Sequence, residues 1–199
     1  MGRQPLVGLT SEQYIKKCCY FKSQFRVIPM SKPTVNDESV RLSQLKMYLD
    51  GAGIAYTILV HAQNISSAQD GAQRGLGSLS AMAPTFILRT EAGFLAAIVR
   101  GDTRLSYKKI KQKLGLKNVS LATPEQVKEL TGSDVGHVAL VNHGVKTIID
   151  ERVTEVETVY GGTGVPNHTL RINPKDVVTL TQVQVFDFTE PKDKSQPKA

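Results

Sequence analysis

This 199-residue sequence predicts an α+β fold: one compact domain with a curved, mixed, largely antiparallel sheet and interspersed short helices. Three observations carry that prediction. Short β-rich segments flank tight turns and read as hairpins. Complete helix caps recur at irregular intervals, without the strict strand–helix alternation of a parallel fold. Apolar residues make up 40% of the chain and charged residues 22%, enough for one core. No apolar run approaches the roughly 18 residues of a membrane-spanning helix. The domain is expected over residues 39–189, between a peripheral N-terminal extension (1–38) and a charged, flexible tail (190–199).

Within the extension, Tyr14, Ile15, Tyr20, Phe21 and Phe25 lack caps or a sustained period, and Met30-Ser31-Lys32-Pro33 reads as a second translation start. Leu42, Leu45 and Leu49, at i, i+3 and i+7 ahead of Gly51, predict the first helix of the domain. Ile54–Val60 follows as a strand. Ser66 with Gln69 fits a capping box opening a short helix to Arg74, with Gly75 after its end. Thr85–Thr90 and Phe94–Val99 flank Glu91-Ala92-Gly93 as a hairpin. Ser106 caps a helix whose apolar face is Tyr107, Ile110 and Leu114, and Gly115 stops it. Thr123-Pro124-Glu125-Gln126 joins an N-cap, a proline at the first helical position and a box residue at the third. His137–Val141 and Val145–Ile149, around Asn142-His143-Gly144, predict a second hairpin. Val156–Tyr160, Thr169–Ile172 and Val183–Phe188 complete the strands, and Asn173-Pro174-Lys175-Asp176 opens a last helix.

The formal net charge is +7, and it is concentrated. Between residues 100 and 117, Arg100, Arg104, Lys108, Lys109, Lys111, Lys113 and Lys117 face Asp102 alone. Such a helix is either a solvated lysine-rich face or a contact surface for a phosphate backbone. His61, His137, His143 and His168 fall in no HExxH pattern and beside no CxxC, so no metal centre is expected. The adjacent Cys18 and Cys19 cannot staple the fold, which makes a reducing cytoplasm the default setting. Neither a Walker A sequence, nor GxGxxG, nor GxSxG occurs. Gly161-Gly162-Thr163-Gly164 leads to Pro166 and a strand, so a plain turn is favoured over a phosphate-binding nest. Asp150-Glu151, by spacing alone, is more often a solvated turn than an acid–base pair.

The order of segments is more specific than any one of them. It runs through Leu49-Asp50-Gly51-Ala52-Gly53-Ile54-Ala55-Tyr56, His61, Ser67-Ala68-Gln69-Asp70-Gly71-Ala72 and Leu76-Gly77. Pro84-Thr85-Phe86-Ile87-Leu88, Leu105-Ser106-Tyr107-Lys108-Lys109, Leu121-Ala122-Thr123-Pro124-Glu125 and Leu130-Thr131-Gly132 come next. Thr147-Ile148-Ile149-Asp150-Glu151, Tyr160-Gly161-Gly162 and the stretch Leu170–Leu180 close it. Over residues 40–188 the chain resembles the YbaK-type aminoacyl-tRNA deacylases, free-standing relatives of the editing domain inserted in prolyl-tRNA synthetase.

The resemblance implies a trans-editing hydrolase that cleaves the ester of a mischarged aminoacyl-tRNA without metal or organic cofactor. A catalytically silent tRNA- or synthetase-binding module on the same fold is the alternative. The partners implied are the aminoacylated end of tRNA and an aminoacyl-tRNA synthetase, with no membrane. Carried over position by position, the catalytic loop is Gly136, His137, Val138 and Ala139. The pocket takes Pro84, Thr85, Leu140, Asn142, His143, Asp150, Tyr160, Gly161 and Gly162, and tRNA binding falls to Arg100, Arg104, Lys108, Lys109, Lys111 and Lys113. Two positions depart from the family pattern. Pro84 stands where a lysine is common, and the Gly-x-x-x-Pro loop runs from Gly136 to Leu140 without its proline.

Overall fold

The computed structural model describes residues 38–181 and 183–192. The expectations for residues 1–37, Cys18 and Cys19 included, and for the tail beyond Lys192 lie outside the described residues.

Local sequence signals set most helix ends. Helix α1 (Glu38–Gly51) buries Leu45 and Leu49 along its leucine stripe. Helix α2 (Ala68–Gln73) starts one residue later than the capping box suggested. Ser67 is its N-cap and accepts from Asp70 N–H at 3.1 Å, while Asp70 accepts from Ser66 N–H. In α3 (Tyr107–Leu114) the left-handed Gly115 (φ 67°) ends the helix. Ser106 is its N-cap, but its hydroxyl donates to Glu190 at 2.8 Å instead of capping. Helix α4 (Pro124–Thr131) has both reciprocal bonds of a capping box between Thr123 and Gln126. Helix α5 (Pro174–Thr181) opens where Asn173 Oδ1 accepts from Lys175 N–H.

The strands form three sheets rather than one curved sheet. β1 (Tyr56–Val60), β8 (His168–Ile172) and β7 (Val159–Gly162) make an antiparallel sheet in that order. β5 (Val119–Leu121), β2 (Thr85–Thr90), β3 (Gly93–Ile98), β6 (Thr147–Asp150) and β9 (Gln184–Phe186) make the second. Its first three strands are antiparallel, but β3, β6 and β9 run parallel. β4 (Thr103–Leu105) pairs with β10 (Thr189–Pro191), so Glu190 and Pro191, assigned to the tail by sequence, form part of a strand.

The hairpin expected around Asn142-His143-Gly144 is absent. A turn is present, with Asn142 (φ 60°) and Gly144 (φ 73°) left-handed. Its two arms part, however: Ala139 bridges Gly162, whereas β6 aligns with β3. The reason is burial. All four residues of β6 are buried, and such a strand needs a neighbour on each edge and apolar cover on each face. Ile149 enters the core of α1, β7 and β8, with Leu45, Leu49, Leu140 and Leu170. Ile148 points the opposite way, to Leu88, Val99, Ile110, Phe186 and Phe188 beneath α3. The strand expected over Val156–Tyr160 is displaced to Val159–Gly162 because a 3₁₀ turn, Glu151–Glu155, comes first and buries Val153. Among the described residues no helix is long and apolar enough to cross a membrane.

Candidate functional site

Four segments meet around a cavity of about 240 Å³. They are residues 65–69 at the entry to α2, residues 82–86 leading into β2, the loop 135–138, and residues 160–162 of β7; Leu76, His168, Thr169 and Lys192 line it as well. Main-chain bonds hold them together. Ala83 N–H donates to Tyr160 O at 2.7 Å, Leu140 N–H to Gly162 O at 2.8 Å and Gly164 N–H to His137 O at 2.9 Å.

Two glycines permit the approach. Gly136 is left-handed (φ 93°), and a Cβ there would lie 2.9 Å from Ser66 O. A Cβ on Gly162 would collide with Val138 O and come within 2.9 Å of His137 O. At these two points main chain packs directly against main chain beside the cavity.

Polar side chains complete the lining. His137 donates through Nε2 to Asn64 Oδ1 at 2.7 Å, which leaves Nδ1 as its acceptor in the neutral ring. That Nδ1 is buried and has no partner, and the same holds for Thr85 Oγ1. His61 Nε2 lies 2.9 Å from Thr169 Oγ1. Burial first, then nearby His168 and Arg74, lower the His61 pKa. Lys192 donates from Nζ to Gly101 O at 2.6 Å and from its main chain to Asp102 O at 3.2 Å. Burial lowers its pKa, against the opposing pull of Asp102.

Of the positions singled out by sequence, Pro84, Thr85, Gly136, His137, Val138, Tyr160, Gly161 and Gly162 line this cavity. Ala139 and Leu140 lie behind it: Ala139 bridges Gly162, and Leu140 is fully buried under Gly161. Asn142, His143 and Asp150 are not among its lining residues. His143 is buried, accepts from Val145 N–H through Nδ1 and is pushed down by desolvation to a pKa of about 4, so it stays neutral. Asp150 corrects the reading of a solvated turn. It is fully buried and accepts from Arg152 N–H at 3.1 Å and Phe188 N–H at 2.9 Å, tying β6 to the C-terminal segment.

The basic stretch is divided in its use. Arg100 pairs with Asp102 and Glu155, Arg104 with Glu190, and Lys109 with Asp187. Lys113 lies 5.8 Å from the ring centre of Phe186. Lys108 and Lys111 have no ion-pair partner among the described residues. None of these six lines the cavity. Sequence reasoning missed Ser66–Gln69, His168, Thr169 and Lys192 as lining residues. The first group had a signal in its helix cap; Lys192 had none, because it sits in what reads as a tail. Among the described residues no cluster of three or more His, Cys, Asp or Glu side chains is arranged to hold a metal.

The glycines of this mixed α+β frame bring main chain close at a small cavity. The chain belongs to the aminoacyl-tRNA editing domain family, whose sequence profile matches residues 62–180. It is 37% identical over 92 residues to the proline–tRNA ligase of Pelotomaculum thermopropionicum, covering 45% of this chain and 16% of that enzyme. Against the proline–tRNA ligase of Caldicellulosiruptor saccharolyticus it is 25% identical over 185 residues, covering 92% of this chain and 30% of the enzyme. The chain thus spans a third or less of these curated relatives. Among solved structures, a hypothetical protein superposes with a TM-score of 0.69 at 29% identity, covering 74% of this chain and 99% of that one. A candidate trans-editing enzyme for prolyl tRNA synthetase gives 0.66 at 26% identity, covering 75% and 97%.

Proposed function

We propose that this protein is an aminoacyl-tRNA deacylase that acts in trans, in the cytoplasm, on mischarged tRNA released by a synthetase. Water adds to the ester carbonyl, the bond from that carbon to the ribose oxygen breaks, and the ribose oxygen leaves with a proton. The products are a free amino acid and uncharged tRNA. A small cavity selects the aminoacyl group by size, and fixed dipoles stabilise the oxyanion where charge develops.

The observation that carries this reading is the loop 135–138. Gly136 and Gly162 press it against its neighbours, and its described hydrogen bonds engage His137 N–H but neither Gly136 N–H nor Val138 N–H. Two donors on a rigid loop at a cavity wall suit an ester carbonyl as it becomes an oxyanion. The unpartnered His137 Nδ1 is a further polar atom beside this loop. Pro84, where the resemblance expects a lysine, favours a second reading: a silent tRNA- or synthetase-binding module.

A panel of tRNAs, each mischarged with a different amino acid, separates the two. Hydrolysis of at least one ester well above its spontaneous rate is expected. Binding of tRNA with no accelerated hydrolysis across the panel would establish the silent module instead.

A further inference from the structure

The cavity is nearly free of charge. Among the described residues, backbone, apolar side chains, hydroxyls, one amide and two histidines line it, and no carboxylate does. The exception among the described residues is Lys192, delivered by the segment that leaves β10. Its backbone is anchored to Asp102 O and its ammonium to Gly101 O, so the side chain is held in place. Gly101 N–H in turn donates to Met82 O at 2.7 Å, which ties this corner to the cavity floor. Asp102, the carboxylate among the described residues that acts on Lys192, is already engaged by Arg100 at 2.7 Å. An ammonium has three N–H donors and Gly101 takes one, so two remain for a ligand. The other cations nearby are committed: Arg100 to Asp102 and Glu155, Arg104 to Glu190.

We infer that Lys192 is a substrate-positioning residue whose ammonium binds the phosphate on the 5′ side of the terminal nucleoside, at the mouth of the cavity. The inference rests on the proposed tRNA-end substrate. The ester reacts inside the uncharged part of the cavity, and the phosphodiester one nucleoside away meets the positive charge that Lys192 holds on its wall. A nucleoside without phosphate gains nothing from Lys192, so the residue reads the nucleotide end rather than the amino acid.

The test compares adenosine 5′-monophosphate with adenosine on the wild-type protein, Lys192→Gln and Lys192→Arg. Affinities are measured by NMR titration at low salt, and thermal melts verify the fold. The wild type should bind the monophosphate about tenfold more tightly than adenosine, the worth of one charge-assisted contact. Lys192→Gln should bind the two equally, Lys192→Arg should keep the preference, and the preference should fade as salt is raised. In deacylation, Lys192→Gln should raise KM more than it lowers kcat. Equal binding of the two ligands by the wild type, or a preference that survives in Lys192→Gln, overturns the inference. Neither binding readout requires hydrolysis. A wild type that prefers the monophosphate through Lys192 yet deacylates nothing refutes the proposed function and leaves the inference standing. Active deacylation with an unchanged preference in Lys192→Gln does the reverse.

Discussion

Gly162→Ala isolates the close approach on which the cavity depends. Gly162 has no left-handed φ, so alanine fits its backbone and the whole effect is steric. The added Cβ would collide with Val138 O and stand 2.9 Å from His137 O and 3.0 Å from Val138 C, all main chain. No flexible side-chain end is there to swing away, so the loop itself must retreat. A shift of about 1 Å is enough to misplace a catalytic loop by a factor of about a hundred. The same overpacking costs about 2 kcal/mol, a fall in Tm of about 4–8 °C for a domain of this size. Differential scanning calorimetry and kcat/KM for deacylation read the two effects. Gly51→Ala is the control, because a Cβ at that helix end meets nothing within 4 Å. If Gly162→Ala melts within about 1 °C of the wild type and turns over at the wild-type rate, the loop is not held by contact with β7, and the account of the site fails.

Asp187 accepts from Arg152 at 2.6 Å and from Lys109 at 2.8 Å, and those two bonds lower its pKa to about 2 from an ordinary 3.8. A depressed carboxylate stabilises the fold fully above its ordinary range and loses that contribution as pH falls from about 4 through 2. Its side chain is 37% exposed, so solvent screening reduces the contribution to about 1 kcal/mol. Asp187→Asn should therefore unfold earlier than the wild type in urea at pH 7, with the gap closing towards pH 2; a gap independent of pH would refute the role of this charge. Among the described residues Lys108, Lys111 and Lys113 of the helix have no ion pair, and Lys113 lies over the Phe186 ring, so Lys108→Gln with Lys111→Gln should weaken tRNA binding and flatten its salt dependence by about one unit per lost contact. Unchanged affinity and slope would mean that α3 presents only a solvated face.

Features built from neighbouring residues were legible in the sequence. The Thr123–Gln126 box, the left-handed glycine after α3 and the hairpin from Thr85 to Ile98 each close within a few residues, so residue type and spacing suffice to specify them. The family resemblance, rather than any local signal, assigned Pro84, Thr85, Gly136, Gly161 and Gly162 to a pocket, and these five residues line the cavity. The tertiary structure alone decided the partners of those segments. Nothing near residue 147 says that β6 runs parallel to β3, some fifty residues earlier, because that choice follows from burying Ile148 and Ile149 on opposite faces at once. Polar roles were decided at the same level. Asp150 reads as a surface turn until Phe188 and Arg152 arrive to desolvate and bond it. Arg100, Arg104 and Lys109 read as free cations until carboxylates distant in sequence neutralise them. Lys192 reads as tail until β10 pairs with β4 and carries it to the cavity. A charge takes its function from what surrounds it, and its surroundings here come from segments that only the folded chain brings together.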